Sequence, residues 1–181
     1  MPVATLVLLA LAAALSVVPS RPPLPSWTTA LASATLLGLA AVTGLQADRV
    51  QGVALATTYV VTVVAAAAGG SAIVTAVFRL ARRDGTAEPD GQAGPLHGGR
   101  TIGVLERTAV AASILAGWPE GIAIVLAVKG LARYPELRAA ETHSAPTHPA
   151  ATSASEQFII GTFTSVVWAA AVCGVGYALV S

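Results

Sequence analysis

Apolar residues run in blocks along this chain, and the polar positions between them mark where each block ends. A helix that crosses a bilayer core needs roughly 20 apolar residues, within a range of about 17–25. Four blocks approach or meet that length, and two more are shorter. The first runs from about Val3 to Val18 and stops at Pro19-Ser20-Arg21-Pro22-Pro23. No basic n-region precedes it and no clear A-x-A site follows, so a retained helix is expected rather than a cleaved signal peptide. The second runs from Trp27 to about Leu45, with Trp27 suited to a membrane interface. The third, from about Val53 to Phe78, contains Gly69-Gly70, which predicts a kink or a close helix contact.

The pattern then changes. Residues 81–99 carry Asp84, Glu88 and Asp90 among Gly and Pro, the composition of an aqueous loop. Two short apolar runs follow, Thr101 to Ala116 and Gly121 to about Leu131, joined by Gly117-Trp118-Pro119-Glu120. That junction predicts a helical hairpin whose second helix starts at the proline. A second polar loop is expected over Pro135 to Ser155, and a last span from about Phe158 to Val180. The expected fold is an all-α polytopic transmembrane helix bundle of about six spans. It divides into a three-span N-terminal region (1–80), a loop (81–99) and a C-terminal module (100–181) made of the short hairpin, the polar loop and the last span.

Composition agrees. Hydrophobic residues make up 55% of the chain and charged residues 10%, against about 25% charged in a soluble domain. Mean hydropathy is +0.73. So little charge leaves lipid to cover most of the surface. A net charge of +1 argues against nucleic-acid binding, which shows a strongly basic patch. The lone cysteine, Cys173, excludes an intrachain disulfide and reads as a small apolar packing residue.

Basic residues set the expected orientation. Arg79, Arg82, Arg83 and Arg100 flank the first loop, and Arg133 and Arg138 the second, so the positive-inside rule makes both loops cytoplasmic. Both termini then face outward, and among the basic residues near loops only Arg49 departs from the scheme. The expected location is the bacterial cytoplasmic membrane.

Candidate chemistry is concentrated in the hairpin. An ionisable residue inside a membrane segment is costly and by default marks a functional site. Folding the hairpin about Trp118 brings Glu106 and Arg107 level with Gly130 and Leu131, bracketed by Lys129, the only lysine, and Arg133. All four lie within about 10 Å of the cytoplasmic boundary, at about 1.5 Å per residue. Gly103, Glu106, Val110, Ser113 and Gly117 share one face, mostly small or polar, as expected of a helix interface in lipid. Lys129 and Arg133 share a face of the second helix, so Glu106 is expected opposite one of them, with Glu156 joining from the same side. Arg100, Arg107, Lys129 and Arg133 outnumber Glu106 and Glu156 by two charges, a surplus suited to a phosphate or carboxylate. Structural pairing, with long basic side chains snorkelling to the interface, accounts for the same residues.

In the last span Gly161, Ser165 and Ala169 form a small-residue stripe suited to packing or to dimerisation. Thr162, Thr164 and Ser165 suit a polar path, or bond their own backbone. His97, His143 and His148 lie in the polar loops, and no metal site or other cofactor site is expected. A Glu106–Glu156 carboxylate pair is the remaining catalytic option; without a Ser-His-Asp set, an H-E-x-x-H or a Walker glycine loop, catalysis is the weaker reading.

Three stretches carry a resemblance: residues 99–107 (GRTIGVLER), residues 127–134 (AVKGLARY) and residues 156–162 (EQFIIGT). In their order and charged positions they resemble the C-terminal membrane module of an uncharacterised bacterial family, a domain of unknown function. The resemblance covers under half of the chain and implies a bacterial membrane protein without supplying an activity. The expected function is small-solute transport or binding of an anionic lipid headgroup or metabolite, with Arg107, Lys129 and Arg133 holding the anion and Glu106 orienting them. The alternative is a non-catalytic membrane subunit or scaffold for a partner membrane protein, in a homo- or hetero-oligomer.

Overall fold

The computed structural model describes residues 2–17, 26–83, 99–143 and 150–180. These form six helices and no strand: α1 (Pro2–Val17), α2 (Ser26–Leu45), α3 (Val53–Arg83), α4 (Gly99–Leu115), α5 (Glu120–His143) and α6 (Ala150–Val180). Three contain stretches long and apolar enough to cross a membrane, Trp27–Leu45, Val53–Ala81 and Phe158–Val180. Their outward faces carry Leu31, Leu39, Val60, Val64, Phe163 and Val167, all more than half exposed or close to it. Water tolerates no apolar surface of that extent. Lipid does, and it also explains the all-helical fold, because a helix satisfies its own backbone where no solvent reaches.

α3 is the hub. It packs on α1, α2, α4 and α6, while α5 sits at the edge against α4 and α6. The core where these helices meet is built of small residues. Ala12 and Ala13 of α1, Ala65 and Ala66 of α3, Ala111 of α4 and Ala169 of α6 are buried beside Leu9, Val110, Trp168 and Val172. Small side chains allow close approach of backbones, the main source of helix association in lipid. Gly69-Gly70 does not interrupt α3. The two glycines leave an open notch that the Trp168 ring and the Arg107 side chain fill. Gly161 of α6 likewise receives the Phe78 ring, which gives the Gly161–Ser165–Ala169 stripe a packing role.

Four helices run further than the polar pattern predicts. α3 continues to Arg83 and α4 begins at Gly99, so the first loop narrows to 84–98, outside the described residues. The second loop narrows more, because α5 continues through Pro135 to His143 and α6 begins at Ala150. Pro135 removes one backbone donor. The residues after it, Glu136-Leu137-Arg138-Ala139-Ala140-Glu141, all favour helix, and that preference carries the helix past the proline.

The α4–α5 turn is set by glycine and proline together. Gly117 takes φ +68°, its N–H donates to the Ile114 carbonyl at 3.0 Å, and the Trp118 N–H donates to Ser113 at 2.9 Å. This pair of bonds is a Schellman cap, which needs a residue that tolerates positive φ. Pro119 then opens α5 with its missing N–H where no helix bond is required. Gly117→Ala should therefore cost about 1–2 kcal/mol, the strain of a side chain in the left-handed region. Unfolding titrations in mixed detergent micelles measure it directly.

Candidate functional site

Glu106 and Arg107 are adjacent on α4, yet successive helix residues point about 100° apart. The two side chains therefore serve different neighbours. Arg107 enters the α3–α6 crevice and is 4% exposed. Its Nε donates to the Ala67 carbonyl at 2.8 Å, and its Nη1 donates to Ser165 Oγ at 3.2 Å. The guanidinium stem lies on Gly70, where a Cβ would approach Arg107 Cδ to 2.7 Å. Only glycine leaves room there. Ala67 lies inside the apolar stretch Val53–Ala81 and Ser165 inside Phe158–Val180, so Arg107 sits at membrane depth.

Two more donors reach the same turns of α3. Trp168 Nε1 donates to the Ala65 carbonyl at 3.3 Å, and Ser16 Oγ donates to the Gly69 carbonyl at 2.8 Å. A carbonyl oxygen has two lone pairs, so each keeps its helix bond and accepts a side chain as well. α1, α4 and α6 are in this way fastened to one stretch of α3 backbone.

Glu106 turns toward α5. Its Oε2 forms an ion pair and hydrogen bond with Lys129 Nζ, the cross-hairpin pairing that equal depth about Trp118 predicts. Glu106 is buried, and the Lys129 side chain is 22% exposed, so the ammonium lies between the buried acid and the protein surface. It also stands 5.6 Å from the centre of the Phe158 ring, a cation–π contact that draws α6 into the cluster. Glu106, Arg107 and Lys129 together carry one surplus positive charge.

The remaining predicted residues are more dispersed. Arg133 is half-buried one turn beyond Lys129 on α5. Arg100 lies in the first turn of α4, its side chain outside the described residues. Glu156 is exposed two residues before Phe158 and forms no ion pair among the described residues. Arg107, predicted to hold an anion beside Lys129, instead directs its donors to α3 and α6. His143 lies at the end of α5 with its side chain outside the described residues, and His97 and His148 fall in segments that are not described. A cleft of about 330 Å³ between α1, α3 and α4, lined by Ser16, Val17, Val64, Ala67, Ala68, Ser71 and Val104, contains no charged side chain. It suits a hydrocarbon chain better than an anion.

The Gly70 notch, the Ala67 carbonyl and Phe158 are the site components that sequence reasoning missed. Small residues in a span signal a contact without naming the side chain that fills it.

Removing Lys129 leaves the buried Glu106 carboxylate without its counter-ion. Lys129→Met should lower stability by on the order of 3 kcal/mol or more, and adding Glu106→Gln should restore part of the loss. Chemical unfolding of the two variants beside wild type checks this, and an additive double mutant would mean the pair contributes nothing. Comparison with family models, curated proteins and solved structures finds no match to this chain, so its functional reading rests on this geometry.

Proposed function

We propose that the chain is a polytopic protein of the bacterial cytoplasmic membrane that binds an anionic lipid headgroup or small anionic metabolite, in a binding or transport role. The supporting observation is the surplus positive charge of the Glu106–Arg107–Lys129 cluster, with the Lys129 ammonium still partly exposed. In a low-dielectric setting such a surplus attracts an anion strongly. Lys129 and Arg133, one turn apart on α5, contact the anion. Glu106 holds Lys129 in place, and Arg107 holds α4 against α3 and α6 while adding its charge to the local field. Arg107 thus supports the site from behind.

In this proposal the chain crosses the membrane six times. α1, α4 and the apolar half of α5 are short for a bilayer, but they pack beside the long helices α3 and α6, and α1 also beside α2, which supports a membrane-embedded placement for them. Both termini lie outside, and the segments 81–99 and 135–155, which include the ends of α3, α5 and α6, lie inside, with Arg79, Arg82, Arg83 and Arg100 on the cytoplasmic side. The resemblance of the region from Gly99 onward to an uncharacterised bacterial membrane family belongs to the same proposal and adds no activity to it.

Native mass spectrometry of the detergent-purified protein, wild type beside Arg133→Ala, which removes an anion contact and keeps the Glu106–Lys129 pair, tests the reading. Wild type should retain an anionic lipid or metabolite that the variant loses while it remains folded. Wild type carrying a second polypeptide and no small ligand would replace this reading with that of a membrane subunit or scaffold.

A further inference from the structure

Beside the ion pair, two buried polar atoms meet no hydrogen-bond partner from the described residues, Oε1 of Glu106 and Oγ1 of Thr162. Glu106 is 6% and Thr162 7% exposed, so neither reaches the surrounding medium. A third such atom, Oγ1 of Thr62, lies elsewhere, against Gly176 between α3 and α6.

The register of α6 brings the first two toward one place. Phe158, Thr162 and Ser165 fall at i, i+4 and i+7 along α6, a spacing that puts them on one stripe. At one end of the stripe Phe158 lies beneath Lys129, which is bonded to the other oxygen of Glu106. At the other end Ser165 accepts a hydrogen bond from Arg107, the chain neighbour of Glu106. Thr162 lies between these two contacts along α6, a register that turns it toward α4.

The chemistry of the surroundings restricts what fits between the two atoms. A cation is opposed by the flanking Lys129 and Arg107, and an anion by the carboxylate itself. A small neutral molecule that donates hydrogen bonds meets both demands, and buried water is the ordinary partner of such groups. We propose that Glu106 Oε1 and Thr162 Oγ1 hold one water molecule between α4 and α6. The water donates one hydrogen bond to Oε1 and accepts one from the threonine hydroxyl. Thr162 acts through it as a positioning residue, keeping the carboxylate turned so that Oε2 stays on Lys129. The site does not depend on any anion bound at Lys129.

The sign of one substitution tests the idea. Thr162→Val keeps the side-chain shape and removes the hydroxyl. If the hydroxyl holds water, Thr162→Val lowers the thermal midpoint of the detergent-purified protein and Thr162→Ser leaves it near wild type. If the hydroxyl is an orphan, Thr162→Val raises the midpoint, which overturns the proposal. Infrared difference spectra in ordinary against ¹⁸O-labelled water supply the second readout. A label-sensitive O–H band is expected in wild type and Thr162→Ser, absent in Thr162→Val and displaced in Glu106→Gln. A lower midpoint for Thr162→Val with no such band in wild type would mean a direct Thr162–Glu106 bond and also overturns the proposal. Should Thr162→Val fail to fold, wild type against Glu106→Gln decides: a displaced band supports the water site and an unchanged band refutes it.

Discussion

A guanidinium at membrane depth has no solvent to bond, and the arrangement of the surrounding helices follows from how Arg107 meets that constraint. Its partners are a backbone carbonyl of α3 and a hydroxyl of α6. A carbonyl already engaged in a helix is accessible only where the neighbouring side chains are minimal. Gly70 supplies that access for Arg107, as Gly69 does for the Trp168 ring. Alanines around these glycines keep the helix axes close enough for Ser16 of α1 to reach the same stretch. The smallness of the α3 surface is thus a condition of polar satisfaction as much as of apolar packing.

The adjacent acid extends the same logic in another direction. Because α4 turns about 100° per residue, one basic and one acidic residue in sequence link α4 to three other helices. Arg107 connects to α3 and α6, and Glu106 to α5, with Lys129 touching α6 through Phe158. α5 packs on the core through Ile122 and Val125, while Ile124, Val128, Leu131 and Tyr134 are more than half exposed. The ion pair and the capped turn at Gly117 add to this narrow apolar contact.

The helical content and the three longest apolar stretches were legible because composition and block length alone specify them. A cross-hairpin partner for Glu106 was legible down to the choice between Lys129 and Arg133, for a local reason: a hairpin with a short, glycine-capped turn fixes the depth of each residue by counting from the tip. The destination of Arg107 was not legible. Depth says how far a side chain lies along the membrane normal and nothing about which way it points around the helix. Choosing between α5 and the α3–α6 crevice required knowing which helices flank α4, a long-range fact that no local pattern encodes. The helix ends were misread at Pro135 for a different reason. A proline removes one bond, whereas the six residues after it each favour helix, and their sum prevails.

The Gly117–Trp118–Pro119 turn has a consequence for how the protein is made. In the proposed six-span arrangement α4 carries Glu106 and Arg107 and α5 carries Lys129, and charged residues inside membrane helices are costly, which makes the two helices poor substrates for entry one at a time. A turn that closes within a few residues lets the two helices enter together, with Glu106 and Lys129 already neutralising each other. Arg107 then finds its receptor in the glycine notch of a helix synthesised earlier. The chain order, α3 before the hairpin and α6 after it, thus presents a bonding partner for Arg107 before that charge reaches the bilayer, and α6 then closes over it.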